Sequence, residues 1–218
     1  MYRIAIVLLL TMVPATWGQS ADRAATVAPL PQDRGIVASV ADLLAPAEYT
    51  PLTPKQRFHD YAMSVIGPVP IFSAAAGAGV SQGIDSPVEW GEGAGGYGRR
   101  FGNNLAYNAV RNTLTLGASV ALHEDNRYFA SQQRTFGRRL LHALASPAIA
   151  HKDGGKATVS VSSLFGIAGA STLSRTWVPG SWQGADNVGR SIGFTYAGMA
   201  GLNVAREFVP DIVRHFRK

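Results

Sequence analysis

The sequence predicts a mainly α protein, a compact bundle of five or six Ala/Gly-rich helices behind a flexible N-terminal segment. Three observations carry that class. A capped helix start at Thr53-Pro54-Lys55-Gln56 is followed by apolar residues at helical spacing. Small residues recur every four positions along three later segments, which lays them on single helix faces. Alternation of the strand type is brief wherever it occurs.

Composition narrows the field further. The 218 residues are 46% hydrophobic and only 16% charged, which excludes a polar disordered chain and a coiled coil. Glycine and alanine together fill roughly a quarter of the chain, well above the usual share. The absence of cysteine excludes disulfides, thiol catalysis, thiolate metal sites and lipoprotein acylation. A net charge of +6 and a pI near 9.9 favour anionic partners.

Residues 1–18 read as a secretory signal peptide. Arg3 supplies the positive start, Ile4 to Val13 the apolar stretch, and Pro14 breaks it ahead of small residues. A bilayer span needs about 20 apolar residues, so this stretch is too short for a permanent anchor. Residues 19–51, rich in Ala, Pro, Asp and Val, form the expected lead-in. Residues 52–218 are the expected helical domain.

Within that domain, Thr53 caps the first helix, Pro54 suits its first position and Gln56 completes a capping box. Phe58, Tyr61, Ala62 and Val65 then describe one buried face, ended by Gly67-Pro68. A second helix is expected over Pro70 to Gln82, and Ser86-Pro87-Val88-Glu89 starts a short turn into Trp90. Gly91 to Gly98 reads as a glycine link. From Arg99 to Leu122 a long helix is expected, with Phe101, Leu105, Val110, Leu114 and Val120 as its apolar stripe. Further helices are expected at Phe136 to Ile149, Ser160 to Thr176, and Asp186 to Phe208, the last ended by Pro210.

The three small-residue rows are Gly189, Gly193, Ala197, Gly201 and Ala205; Ala109, Thr113, Gly117 and Ala121; and Ser162, Gly166, Ala170 and Ser174. Glycine costs about 1 kcal/mol per helical position, so such rows call for close packing to offset the loss. No stretch after the signal reaches about 18 uninterrupted apolar residues, which favours a soluble or peripheral bundle. A β-barrel is the alternative architecture, weakened by short alternating runs and by the basic tail Arg214 to Lys218.

The densest polar cluster is His123-Glu124-Asp125-Asn126-Arg127-Tyr128-Phe129. His123 and Asp125 are candidates for base and orienter, with Glu92 as a further acid and Arg127 to hold an anionic substrate. His123, Asp125, His151 and Asp153 are candidate metal ligands through two His-x-Asp pairs, although their spacing matches no zinc pattern. The structural alternative is that His123 to Asp125 end a helix while Arg127 and Tyr128 pin the following loop; it is the preferred reading. Lys152-Asp153-Gly154-Gly155-Lys156 lacks phosphate-loop spacing and reads as a turn. Gly91 to Gly98 follows no hydrophobic strand, so dinucleotide binding has no support, and no cofactor is expected. There is no Gly-x-Ser-x-Gly elbow and no His-Glu-x-x-His helix. Arg99, Arg100, Arg127, Arg134 and Arg138 are candidate anion-binding residues. For an exported chain the available anions are lipid headgroups or envelope polymers, not nucleic acid.

Four stretches carry a resemblance: Pro51 to Phe58, Gly96 to Gly102, His123 to Phe129, and Glu207 to Ile212. Through them the chain resembles an uncharacterised family of exported bacterial envelope proteins, common in soil bacteria, over about three quarters of its length. The resemblance implies export and transfers no activity, cofactor or catalytic residue. The expected function is therefore an exported, non-catalytic envelope protein, periplasmic or peripherally attached to the outer membrane. The alternatives are a small envelope hydrolase using His123, Asp125 and Glu92, and a small outer-membrane β-barrel.

Overall fold

The computed structural model describes residues 49–131, 135–153 and 155–216. The expected signal peptide, residues 1–18, and nearly all of the expected lead-in lie outside the described residues. The elements in order are α1 (Pro54–Ile66), α2 (Pro68–Gly83), α3 (Gly93–Leu122), β1 (Glu124–Asp125), α4 (Phe136–Ala145), β2 (Ile149–Lys152), β3 (Ala157–Val159), α5 (Val161–Leu173) and α6 (Ala185–His215). The fold is mainly α, as expected. A β-barrel is overturned, because the described residues are mostly helical and their strands pair as a small antiparallel sheet in the order β1-β2-β3.

Several helix boundaries follow local chemistry. The Thr53 hydroxyl accepts from the Gln56 amide at 3.3 Å, and the Gln56 side chain accepts from the Thr53 amide at 2.9 Å. Ser160 caps α5 by accepting from the Ser163 amide at 3.1 Å. The Lys152 to Lys156 turn closes the β2–β3 hairpin, with Gly155 at φ +79°.

Other boundaries differ from expectation. The glycine stretch is a helix from Gly93 onward. Its Gly96 faces the Gly91 carbonyl and the Arg100 guanidinium so closely that a Cβ would lie 2.1 Å from the Gly91 oxygen. The expected helix to Ile149 ends at Ala145, because Pro147 directs a 3-10 turn into strand β2. At the far end, α6 continues through Pro210 to His215. Proline forgoes one intrahelical bond there, and Pro210 is buried.

α3 is the central rod, packed by α1, α2 and α5. Asn112 and Asn108 donate to the Ser64 carbonyl and Asn104 to that of Ala74, so α1 and α2 run antiparallel to α3 along its length. α5 also runs antiparallel, with Asn126 meeting Ser162, Tyr107 meeting Ser171, and Asn103 meeting Trp177. α6 returns beside α5 and carries α4 on its second half.

The interior is small and polar. Among the described residues, Ile167 and Val178 are the only buried aliphatic or aromatic side chains larger than alanine, prolines aside. Buried beside them are Arg100, Ser119, Glu124, Asp125, Ser162, Ser171, Asn203 and Glu207. The row Ser162, Gly166, Ala170 and Ser174 is buried throughout, and a Cβ on Gly166 would meet the Thr115 hydroxyl at 1.9 Å. The other two rows are not packed in this way: Gly117, Gly189, Gly193 and Gly201 have nothing within 4 Å of a built Cβ. The expected buried face of α1 is also corrected. Phe58 is 65% exposed and α1 has no fully buried residue, since α3 offers it asparagines instead of an apolar surface.

Candidate functional site

The His123 to Phe129 cluster begins at the C-terminus of α3. His123 caps that helix in the left-handed region at φ 53°, which turns the chain sharply into β1. β1 then pairs with β2, placing Glu124 opposite Lys152 and Asp125 opposite His151. The two His-x-Asp segments are therefore neighbours, as a four-ligand site would require.

Their side chains nevertheless divide into separate environments. His123 Nδ1 lies 3.2 Å from Asp153 Oδ2, and both side chains are largely exposed, His123 at 75%. Asp125 is buried and clamped by Arg127, whose Nε and Nη2 donate to Oδ2 at 2.9 and 2.6 Å. The Arg127 amide also donates to Asp125 Oδ1 at 3.0 Å. Asp125 consequently orients Arg127, not His123. The His151 ring stacks edge-on against Phe129 at 4.8 Å, and its Nδ1 is buried without a hydrogen-bond partner among the described residues. Burial lowers the His151 pKa, with Asp125 pulling the other way. No three His, Cys, Asp or Glu residues among those described are grouped to hold a metal ion.

Glu92 is in another part of the molecule. It precedes α3 while His123 ends it, and a 30-residue helix separates them by about 45 Å. A shared active site is thereby excluded for that pair.

The rest of the cluster is tied internally. Glu124 accepts from the Ser162 amide at 2.9 Å and its hydroxyl at 2.6 Å, with Lys152 at 3.6 Å. Burial pushes its carboxyl up, but those hydrogen bonds and the lysine outweigh burial and hold it below the ordinary range. Arg57 donates to the Glu124 carbonyl at 2.6 Å. Tyr128 donates to Glu207, which also accepts from Arg139 at 2.8 Å and from the Ser131 amide at 3.0 Å. Burial and the Glu207 carboxylate together push the Tyr128 phenol well above its usual value.

The candidate anion-binding arginines do not converge. Arg100 is 1% exposed and donates to the carbonyls of Ser86, Pro87 and Gly91, to Gln82, and to Asp85. Arg127 serves Asp125 and the Thr50 carbonyl. All three guanidinium nitrogens of Arg100, and the Nε and Nη2 of Arg127, thus already have internal acceptors. Arg99 and Arg138 are exposed but sit at opposite ends of the bundle, on α3 and α4. Arg134 lies outside the described residues.

Sequence reasoning missed Glu207, Arg139, Gln82 and Asp85 as members of the buried networks. The available signal was Glu207 followed by Asp211 one helical turn later, after a charge-poor stretch of α6. A cleft of about 320 Å³ lies between Trp90, Arg99, Asn103 and Trp177, and another of about 350 Å³ is lined by Val65, Ile66, Ile71 and Leu105. Neither adjoins His123. No family model, curated protein or solved structure matches the chain.

Proposed function

We propose that the chain is an exported, non-catalytic envelope protein whose polar clusters hold its helices together. The observation that carries this reading is the internal engagement of the His123 to Phe129 segment. Asp125 is clamped by Arg127, Glu124 by Ser162, and Tyr128 by Glu207. A general base needs an accessible lone pair beside a substrate, and the buried carboxylates have theirs occupied by protein donors. The hydrolase alternative loses its third residue, since Glu92 and His123 lie at opposite ends of α3. Export rests on residues 1–18 and on the family resemblance. The exposed Arg99 and Arg138 suit contact with anionic lipid headgroups or envelope polymers.

The test is expression of the full chain with its own first residues, followed by mass determination and fractionation. The expected result is a processed chain outside the cytosol, inactive on ester, phosphoester and peptide probes. An unprocessed cytosolic chain overturns the export reading. Turnover that disappears in His123→Ala with unchanged melting overturns the non-catalytic one.

A further inference from the structure

The bundle is arranged inside out. α5 buries Ser162, Ser163, Gly166 and Ser171 and exposes Val161, Leu164, Phe165 and Leu173. α2 exposes Ile71 and Phe72, α4 exposes Leu141, and α6 exposes Phe194 at 78%. In water, burial favours the opposite assignment. Small residues between helices and large apolar ones outside are the arrangement that lipid favours.

The charges fall into register across the rods. Residues 61–84 of α1–α2, 157–174 around α5 and 191–205 of α6 contain no Asp, Glu, Lys or Arg. Residues 101–122 of α3 contain one, Arg111, whose Nη2 donates to Asn108 and Asn112 inside the bundle. On α3 this stretch, with its single inward-bonded arginine, is about 33 Å long, against a bilayer hydrocarbon core of about 30 Å. Antiparallel packing aligns these stretches into one belt. At one rim sit the three tryptophans of the described residues, Trp90, Trp177 and Trp182, with Trp90 and Trp182 rings 6.4 Å apart. At the other rim lie the Asp125, Arg127, Arg139 and Glu207 networks. Tryptophan belts mark membrane interfaces. By length and composition, Pro54–Gly83 passes as a span, and only 22% of its apolar window is buried inside the protein. α3 escapes hydropathy averaging because Asn104, Asn108 and Asn112 bond inward to α1 and α2.

We infer that the acyl chains of a phospholipid bilayer cover this belt, so that the bundle is embedded in a membrane instead of resting on one. A second copy fits less well, because it covers one side while the exposed apolar residues lie on every rod. The inference rests on the envelope reading and deepens it by naming the partner of its surface, and it departs from the expectation of a soluble or peripheral bundle.

The natural chain has no cysteine, so single cysteines report cleanly. Leu164→Cys and Phe194→Cys probe the belt, and Lys55→Cys and Glu89→Cys the two ends. In opened membranes from expressing cells, belt cysteines are expected to react with a charged maleimide at least tenfold more slowly than end cysteines. The chain is expected to resist carbonate and to yield to dodecyl maltoside. A bimane on either belt cysteine is expected to be quenched by doxyl-labelled phospholipid. Release by carbonate with belt and end cysteines reacting alike overturns the inference. Protected but carbonate-released and unquenched cysteines overturn it in favour of a second copy. An unprocessed chain with a lipid-quenched belt sinks export alone.

Discussion

Tyr128 and Glu207 meet at 2.5 Å across 79 residues of sequence, and through them the loop after β1 is fastened to the second half of α6. Arg139 of α4 joins the same carboxylate at 2.8 Å. Glu207→Ala removes the carboxylate that both share and leaves a partly buried guanidinium with Asp211 and the residue-207 carbonyl, so a loss of about 3–5 kcal/mol is expected. Tyr128→Phe should cost about 1.5–3 kcal/mol, as for a hydrogen bond to a charged group. Thermal unfolding followed by circular dichroism checks the order. Equal melting of Glu207→Ala and the natural chain would remove this network from the account.

The packing of α3 against α5 gives a second expectation. A methyl at Gly166 would collide with the Thr115 hydroxyl and approach the Arg111 carbonyl to 2.8 Å. Backbone cannot yield as a side chain can, so Gly166→Ala is expected to cost about 1–3 kcal/mol. Gly189→Ala has open space and is expected to gain up to about 1 kcal/mol from helix propensity. The same melting assay applies, and a destabilised Gly189→Ala paired with a neutral Gly166→Ala would reverse the assignment of the packed row.

These contrasts mark how far the sequence could be read. Helix starts governed by neighbours, such as Thr53 with Gln56 and Ser160 before α5, were legible because capping is local. The Ser162 to Ser174 row was legible as periodicity, but nothing in periodicity says whether a stripe faces protein or surroundings, and Gly189 to Ala205 gives the same pattern. Helical spacing puts Phe58 inward only if apolar faces pack inside, which this bundle reverses on several helices. The strand pairs Glu124 with Lys152 and Asp125 with His151 join residues far apart in sequence, in strands too short for any period to register. The internal ties of Asp125, Glu124 and Tyr128 agree with the preferred structural reading of that motif, whereas Glu207 needed the fold to bring it there.

Acid should weaken the protein in two windows. His151 has a folded pKa below its unfolded value, so the folded state resists its protonation. Its contribution is complete above about pH 6.5 and is lost as pH falls below that. Glu124 also has a depressed folded value, so its contribution is present above about pH 4.5 and lost on further acidification. His151→Phe keeps a ring against Phe129, removes a buried unpaired nitrogen, and is expected to flatten the upper window without loss at pH 7. Glu124→Gln is expected to flatten the lower one. Melting temperature against pH for both variants checks this; an unchanged upper slope in His151→Phe would assign it to another group.

His123 supplies the last test, because its backbone and its ring make different demands. The residue sits at φ 53°, where an ordinary L side chain costs about 1–2 kcal/mol relative to right-handed backbone. Among the described residues its ring pairs with Asp153 at an exposed position, a pairing worth at most about 1 kcal/mol. His123→Gly is therefore expected to be neutral or up to about 1 kcal/mol stabilising, since glycine enters this region freely. His123→Val is expected to lose about 1–2 kcal/mol, because β-branching crowds the left-handed backbone further. His123→Ala should fall between them. Chemical unfolding of the three variants measures that order. A glycine variant less stable than the valine variant would mean the ring, not the turn, holds the end of α3.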